Sequence, residues 1–127
     1  MAELIMGFDF GTSKIGVAVG QKLTASANPI GKFRARDGKP DWSQLDRVIH
    51  EWQPSLFVVG LPLNKDDSKN DITRAAERFA RRLHGRYEIP FEMMDERLST
   101  FEATQNQTKD VDATAACLIL ETWLSQV

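Results

Sequence analysis

Short apolar runs and helical stripes alternate along the chain. Residues 4–10 form a continuous apolar run that ends at a Gly-Thr-Ser turn, which is typical of a buried strand. A second run over residues 14–19 would form a hairpin with the first. Residues 25–35 are a third strand candidate. Pro29 restricts this strand to a sheet edge or a bulge, because proline has no N–H to donate to a neighbouring strand.

Helices and strands then alternate after a predicted break at residues 38–40. Asp41 is placed to cap a helix with one apolar stripe, formed by Leu45, Val48, Ile49 and Trp52. Residues 55–60 are apolar on both faces, as a central parallel strand requires. A second helix begins near Asp71 and is predicted to bury Ile72, Ala75, Ala76, Phe79, Ala80 and Leu83. Residues 90–94 indicate a further strand.

The last helix is predicted to begin near Asp112 and to bury Ala113, Ala116, Cys117, Leu120 and Leu124. The resulting order, β-β-β-α-β-α-β-α, predicts an α/β fold with a mixed five-stranded sheet. Right-handed crossovers would place helices on both faces of that sheet. This is the element order of the ribonuclease H-like fold. We expect a single domain over residues 1–127.

Composition narrows the function classes. The 127 residues carry 16 Lys and Arg against 18 Asp and Glu, a net charge of −2, which excludes a wholesale polycation but allows a local basic patch. The single cysteine, Cys117, excludes an internal disulfide. No apolar run approaches the roughly 18 residues of a membrane span, and there is no secretory signal. We therefore expect a cytoplasmic protein with no membrane partner.

Asp9 is the first candidate for chemistry, because it interrupts an apolar strand between Phe8 and Phe10. A buried carboxylate needs a cation, a metal ion or several backbone donors to offset its desolvation. One interpretation is a functional acid. The other is a carboxylate that caps the turn at Gly11 through local N–H groups. The residues support the two interpretations about equally.

Two further acids follow at the ends of later elements. Asp95 and Glu96 follow the predicted strand, and adjacent residues point to opposite faces, so we expect only one of them to share a face with Asp9. Arg97 offers the alternative of a strand-end ion pair. Asp112 suits a helix N-cap, yet helical spacing also turns it toward the buried stripe of the last helix.

Together these carboxylates predict a metal site. Three carboxylates can hold two divalent ions about 4 Å apart for in-line displacement at phosphorus. Hard oxygen ligands favour two Mg²⁺ or Mn²⁺ ions. His50 and His84 show no ligand spacing, which argues against zinc.

Basic residues are candidates for phosphate contacts. Arg74, Arg78 and Arg82 recur every four residues and give the second helix a positive outer face. A solvated face with no partner explains the same spacing. Lys14, just after the turn that follows Asp9, is better placed to contact a phosphate at the site.

Four segments in register resemble the YqgF/RuvX family: FDFGTSKIGVA (8–18), VGLPLN (59–64), DERLST (95–100) and VDA (111–113). These small bacterial nucleases have a ribonuclease H-like fold and are described as Holliday junction resolvases and as pre-16S rRNA nucleases. The resemblance implies that Asp9, Glu96 and Asp112 are the catalytic metal ligands. Arg97, next to Glu96, is a further candidate for contact with the nucleic acid. It implies a metal-dependent endonuclease, which processes the 5′ end of pre-16S rRNA or resolves branched DNA as a monomer or weak homodimer.

One departure from the family lies between Thr100 and Asp112, where the family carries a longer segment with glycine and basic residues. Residues 101–111 are a shorter version, and Asp110 adds negative charge there. We expect the shorter segment to affect substrate binding more than metal binding. Asp95 and Asp110 remain alternative metal ligands.

Two other function classes compete with a nuclease. Residues 9–13 also resemble the first phosphate loop of sugar kinases and actin-like ATPases, but those proteins clamp a nucleotide between two such domains. The chain also lacks a G-x-x-x-x-G-K-[ST] loop. A non-catalytic RNA-binding assembly factor would keep the fold, and the short 101–111 segment is compatible with it. Metal-dependent cleavage separates these classes.

Overall fold

The computed structural model describes residues 3–96 and 111–127. Its elements are β1 (Leu4–Asp9), β2 (Lys14–Gln21), β3 (Ser26–Arg36), β4 (Lys39–Pro40), α1 (Trp42–Trp52), β5 (Leu56–Leu61), α2 (Asp71–Tyr87), β6 (Phe91–Asp95) and α3 (Val111–Ser125). Arg97, Asp110 and most of the shortened segment lie outside the described residues. No helix within the described ranges is both long enough and apolar enough to cross a bilayer.

The strands form one mixed sheet in the order β4-β3-β2-β1-β5-β6. Strands β1 to β4 pair antiparallel, whereas β5 and β6 run parallel to β1. The mixed sheet is confirmed. The register of β3 against β2 shifts between Val17 and Ala18, and Pro29 lies beside this irregularity. Proline is accommodated there because the bulge interrupts the ladder.

The prediction of five strands is wrong, because the sheet formed by the described residues has six. The extra strand, β4, occupies Lys39 and Pro40, where we expected only a break. Asp37 and Gly38 both have positive φ, at 51° and 78°. Positive φ at both central residues is what a two-residue type I′ hairpin requires, and Asp-Gly is one of its preferred pairs. The turn therefore reverses the chain into a short edge strand.

Each sheet face carries its own hydrophobic core. We call the face covered by α1 and α2 the α1–α2 face; its core includes Met6, Phe8, Val59 and Phe79. The opposite face, here the α3 face, is covered by α3, with a core that includes Ile5, Val58, Met94, Ile119 and Leu120. The predicted helices on both faces are thus confirmed.

The helices begin near the predicted residues. Asp41 caps α1 and accepts a hydrogen bond from the backbone N–H of Ser43 at 3.0 Å. Asn70 caps α2 in a capping box with Thr73. Ile72 is 42% exposed, so its predicted burial is wrong, and Thr73 is the buried residue of this turn. The Thr73 hydroxyl donates to the carbonyl of Pro62, which draws Thr73 inward and leaves Ile72 outside.

Candidate active site

Asp9 lies at the carboxyl end of β1 on the α3 face. Side chains alternate along a strand. Met6 and Phe8 belong to the α1–α2 core and Ile5 belongs to the α3 core, so Asp9 shares the face of Ile5. Asp9 is partly buried and lies opposite Gly16 of β2. The strand therefore directs this carboxylate toward the α3 side of the sheet edge.

Glu96 lies on the same face and contacts Asp9. It follows β6 directly, two residues after Met94, which is buried in the α3 core. A hydrogen bond joins the carboxyl groups of Glu96 and Asp9. The structure thus selects Glu96 as the partner of Asp9 from the two acids at this strand end, and Asp95 ends β6 beside it.

The two carboxyl groups share an environment that disfavours two negative charges. Burial raises the pKa of Glu96, the hydrogen bond from Asp9 opposes that rise, and the charge of Asp95 adds to it. The Oε1 oxygen of Glu96 is buried. Two carboxylates can share a hydrogen bond only if one holds a proton, and a divalent cation can replace that proton between them. The donor set of hard oxygens therefore fits Mg²⁺ or Mn²⁺.

Gly60 makes this contact possible, and it is a residue that sequence reasoning did not single out as part of the site. Strand β5 lies between β1 and β6, so Glu96 must reach across it to meet Asp9. A Cβ at Gly60 would lie 2.5 Å from Glu96 Oε1, 2.8 Å from Glu96 Cγ and 2.7 Å from Ile119 Cδ1. A glycine at the end of a strong apolar strand is the signal that predicts such a close approach.

Asp112 lies in the first turn of α3. The glycines of β1 and β2 show which part of α3 lies over each end of these strands. Gly20, which pairs with Ile5, lies under Leu120 and Leu124. Gly7, which is nearer to Asp9, lies under Leu120 and the backbone of Ala116. The helix therefore runs toward Asp9 as it approaches its N-terminus. The side chain of Asp112 lies outside what the structure describes, and the described residues alone contain no group of three potential metal ligands.

Lys14 begins β2 and is exposed. It shares the α3 face with Gly16, which lies opposite Asp9, so Lys14 lies one side-chain row beyond the acidic pair. The structure thus brings Lys14 to the same edge of the same sheet face.

The arginines of α2 lie elsewhere. Arg74, Arg78 and Arg82 are exposed on a helix that packs on the α1–α2 face through residues such as Phe79. Arg74 is also 3.6 Å from Asp71. The structure therefore does not bring these three side chains to the acidic pair, because the sheet separates the two faces.

A cavity of about 670 Å³ lies away from the acidic pair. Its lining includes Asp46, Arg47, His50, Tyr87 and Ile89, from α1, the end of α2 and the chain entering β6. These segments lead into the amino ends of β5 and β6, whereas Asp9 and Glu96 lie at the carboxyl ends of their strands. The cavity is therefore separate from the carboxylate site.

The relatives agree on one family, and the structural neighbours agree on one fold. A family model described as "RuvX: Holliday junction resolvase" matches residues 3–126. A protein of Proteus mirabilis named "Putative pre-16S rRNA nuclease" is 48% identical over 132 residues, covering 96% of this chain and 95% of its own. A protein of Edwardsiella ictaluri with the same name is 50% identical over 129 residues, covering 94% and 92%.

Among solved structures, Thermus thermophilus RuvC in complex with a Holliday junction matches with a TM-score of 0.58 and 12% identity, covering 98% of this chain and 94% of that chain. The fowlpox virus Holliday junction resolvase matches with a TM-score of 0.56 and 11% identity, covering 98% and 99%. At these identities the likeness concerns the fold, and it confirms the predicted ribonuclease H-like architecture.

Proposed function

The chain belongs to the RuvX family of nucleases, and we propose that it is a divalent-metal-dependent endonuclease with Asp9, Glu96 and Asp112 as its catalytic metal ligands. The observation that carries this proposal is the hydrogen-bonded Asp9–Glu96 pair on the α3 face. A pair of acids held this closely is stabilised by a cation between them, and a third carboxylate at the start of α3 would complete the ligand set.

Two Mg²⁺ or Mn²⁺ ions in this site would activate the attacking water and stabilise the leaving oxygen of the scissile phosphate. The protein's own residues position the reaction. Asp9 is fixed by the central strand, and Glu96 is held across Gly60 by packing against β5. Lys14 would contact a phosphate next to the cleaved one, and Arg97 would do so from the segment after Glu96. Arg74, Arg78 and Arg82 would contact phosphates farther from the site.

The substrate we propose is structured RNA, cleaved at the 5′ end of pre-16S rRNA during ribosome biogenesis in the cytoplasm. The shared name of the relatives from Proteus mirabilis and Edwardsiella ictaluri supports this choice, at 48% and 50% identity. The second candidate is a four-way DNA junction, which the description of the family model favours. We propose a monomer or weak homodimer, since a symmetric junction would require a two-fold dimer.

Cleavage by the purified protein tests the nuclease. With Mg²⁺ or Mn²⁺ it is expected to cut a pre-16S rRNA fragment, and Asp9→Asn is expected to lower the rate at least 100-fold because a metal ligand loses its charge. A four-way DNA junction assayed in parallel distinguishes the two substrates. Calorimetric titration with Mn²⁺ supplies a readout apart from activity and should show weaker binding to Asp9→Asn.

Glu51→Gln is the matched control, because Glu51 is an exposed acid of α1. This variant should retain wild-type cleavage. Equal cleavage by wild type and Asp9→Asn would contradict the assignment of Asp9. RNA binding without metal-dependent cleavage of either substrate would instead identify a non-catalytic assembly factor.

A further inference from the structure

Five basic residues of β2, β3 and β4 occupy the row of Asp9 and the two rows beyond it on the sheet. Gly16 lies opposite Asp9 on one side and opposite Lys32 on the other, so these positions form one row across the sheet. Lys14 lies opposite Arg34 in the next row on the same face. Arg36 and Lys39 form the row beyond. We call these five the basic strand face: Lys14, Lys32, Arg34, Arg36 and Lys39.

The basic strand face is exposed on the side of the sheet that carries the acidic pair. Phe33 and Ala35 pack against the α1–α2 core, so the alternating residues of β3 point to the α3 face. All five basic residues are exposed. Helix α3 packs over the other end of these strands, near Gly20 and Ala27. Among the residues that the structure describes, α3 thus leaves the basic end of the sheet accessible.

Backbone hydrogen bonds fix this surface to the loop that follows Asp9. The N–H of Ala35 donates to the carbonyl of Ser13 at 2.8 Å, and the N–H of Gly38 donates to the carbonyl of Thr12 at 2.9 Å. The basic strands and the acidic pair thus belong to one rigid edge of the sheet.

The pairing of Arg36 with Lys39 has a cost that a polyanion would offset. Lys14 lies directly opposite Arg34, and Arg36 lies directly opposite Lys39. Like charges directly opposite each other on neighbouring strands are destabilising. Phosphates lying between such pairs convert this repulsion into charge-assisted hydrogen bonds. Two adjacent like-charge pairs leading to an acidic site therefore indicate a phosphate track.

We propose that a double-helical arm of the nucleic-acid substrate lies across the basic strand face, with its backbone phosphates on Lys32, Arg34, Arg36 and Lys39. The inference rests on the proposed nuclease function and adds the path of the substrate to it. Neighbouring strands are about 4.8 Å apart, so Lys32 lies about 10 Å across the sheet from Asp9. The arm would thus present the scissile phosphate to Asp9 and Glu96 while the basic strand face holds the flanking backbone.

The test is equilibrium binding of a fluorescent RNA duplex arm, and of a four-way DNA junction, over a series of salt concentrations with Mg²⁺. All proteins carry Asp9→Asn to prevent cleavage. Arg34→Glu with Arg36→Glu is expected to weaken binding at least 10-fold at 0.1 M salt. The plot of log K against log salt concentration has a negative slope, and this slope should become less steep by about 2, because two phosphate contacts are lost. The melting temperature of this variant should equal or exceed that of the parent, because the repulsion between Arg36 and Lys39 is removed.

Arg47→Glu with Arg81→Glu is the matched control, since it makes the same change in net charge at exposed helical positions on the α1–α2 face. It should weaken binding less than threefold and leave the salt slope unchanged. A second double variant, Arg78→Glu with Arg82→Glu, measures how much the exposed arginines of α2 contribute to binding.

Three outcomes would overturn the inference. Unchanged binding by Arg34→Glu with Arg36→Glu would remove the basic strand face as the track while leaving the nuclease intact. A larger loss from Arg78→Glu with Arg82→Glu would make α2 the principal surface. No binding by the parent at any salt concentration, with no cleavage by the wild type, would contradict the proposed function as well.

Discussion

At the residue scale, the acidic pair depends on a position that has no side chain. Asp9 and Glu96 belong to strands separated by β5, and they meet because Gly60 leaves the space between them open. The close approach also involves Ile119 of α3, so the same glycine positions the helix that carries Asp112. Gly60 is therefore a positioning residue for the proposed ligand set.

Gly60→Ala is expected to displace Glu96 from Asp9. The added methyl would lie 2.5 Å from Glu96 Oε1 and 2.7 Å from Ile119 Cδ1, so at least one of these side chains must move. We expect a loss of about 1–3 kcal/mol in the free energy of unfolding, typical of overpacking. We also expect at least a 10-fold fall in kcat and weaker Mn²⁺ binding. Denaturant titration, cleavage kinetics and calorimetry measure the three quantities.

Gly85→Ala is the matched control, because a Cβ at Gly85 meets no atom within 4 Å. Alanine in a helix interior is more stable than glycine by about 0.5–1 kcal/mol, so this variant should gain stability and keep its activity. Wild-type metal affinity in Gly60→Ala would show that Glu96 reaches its position without this gap.

At this scale the residue pattern alone left the choice between Asp95 and Glu96 open, and only the family resemblance favoured Glu96. Strand alternation shows that only one can face Asp9, but it does not say which. The selection depends on Met94, whose burial against α3 sets the face of Glu96 two residues later. That contact is tertiary and has no local signature in the chain.

At the element scale, helices α1 and α2 are joined by a polar network at their outer side. Arg86 donates two hydrogen bonds of 2.8 Å to the carboxylate of Asp46, and the Tyr87 hydroxyl donates a third at 2.6 Å. The Arg86 guanidinium also lies 5.1 Å from the centre of the Trp42 ring. The hydrogen bond from Arg86, followed by that from Tyr87, lowers the pKa of Asp46 to about 2.

Asp46→Asn should therefore destabilise the protein in a pH-dependent way. The pKa of Asp46 is below its ordinary value of 3.8 in the folded state, so its stabilising contribution is fully present above pH 3.8 and is lost as the pH falls through about 2. The variant should melt below the wild type at pH 7, and the two curves should converge near pH 2. Glu51→Gln, which changes an exposed acid of α1, should show no such difference. A gap that persists at pH 2 would mean that packing, not charge, explains the loss.

Element boundaries show where local patterns fail. The α1 prediction held because Asp41 and one apolar stripe define the helix within the segment itself. Strand β4 was missed because a Pro-containing pair of residues has no strand pattern of its own. The strand exists because Asp37 and Gly38 form a tight turn and the Gly38 N–H bonds to the loop after Asp9. The Asp-Gly pair was the available signal.

At the scale of the whole molecule, the small net charge of −2 conceals an uneven distribution of charge over the two faces of one sheet. The α3 face carries the acidic pair and the basic strand face side by side, whereas the arginines of α2 lie on the other face. Sequence periodicity found the α2 arginines because helical spacing is local. It could not find the basic strand face, because that surface forms from pairing between β2, β3 and β4.

Metal addition should reveal this arrangement in the stability of the intact protein. Without divalent ions, Asp9→Asn is expected to melt at or above the wild-type temperature, because the amide can donate to Glu96 without one of two neighbouring carboxyl groups having to hold a proton. With Mg²⁺ at ten times its dissociation constant, the wild type should gain about 1.4 kcal/mol, or about 5 °C. Asp9→Asn should gain less than a third of that shift. Differential scanning calorimetry with and without EDTA measures both. An equal gain in the two proteins would mean that the ion binds elsewhere. An ion that is bound by Asp9 stabilises the protein less when the Asp9 carboxylate is replaced by an amide.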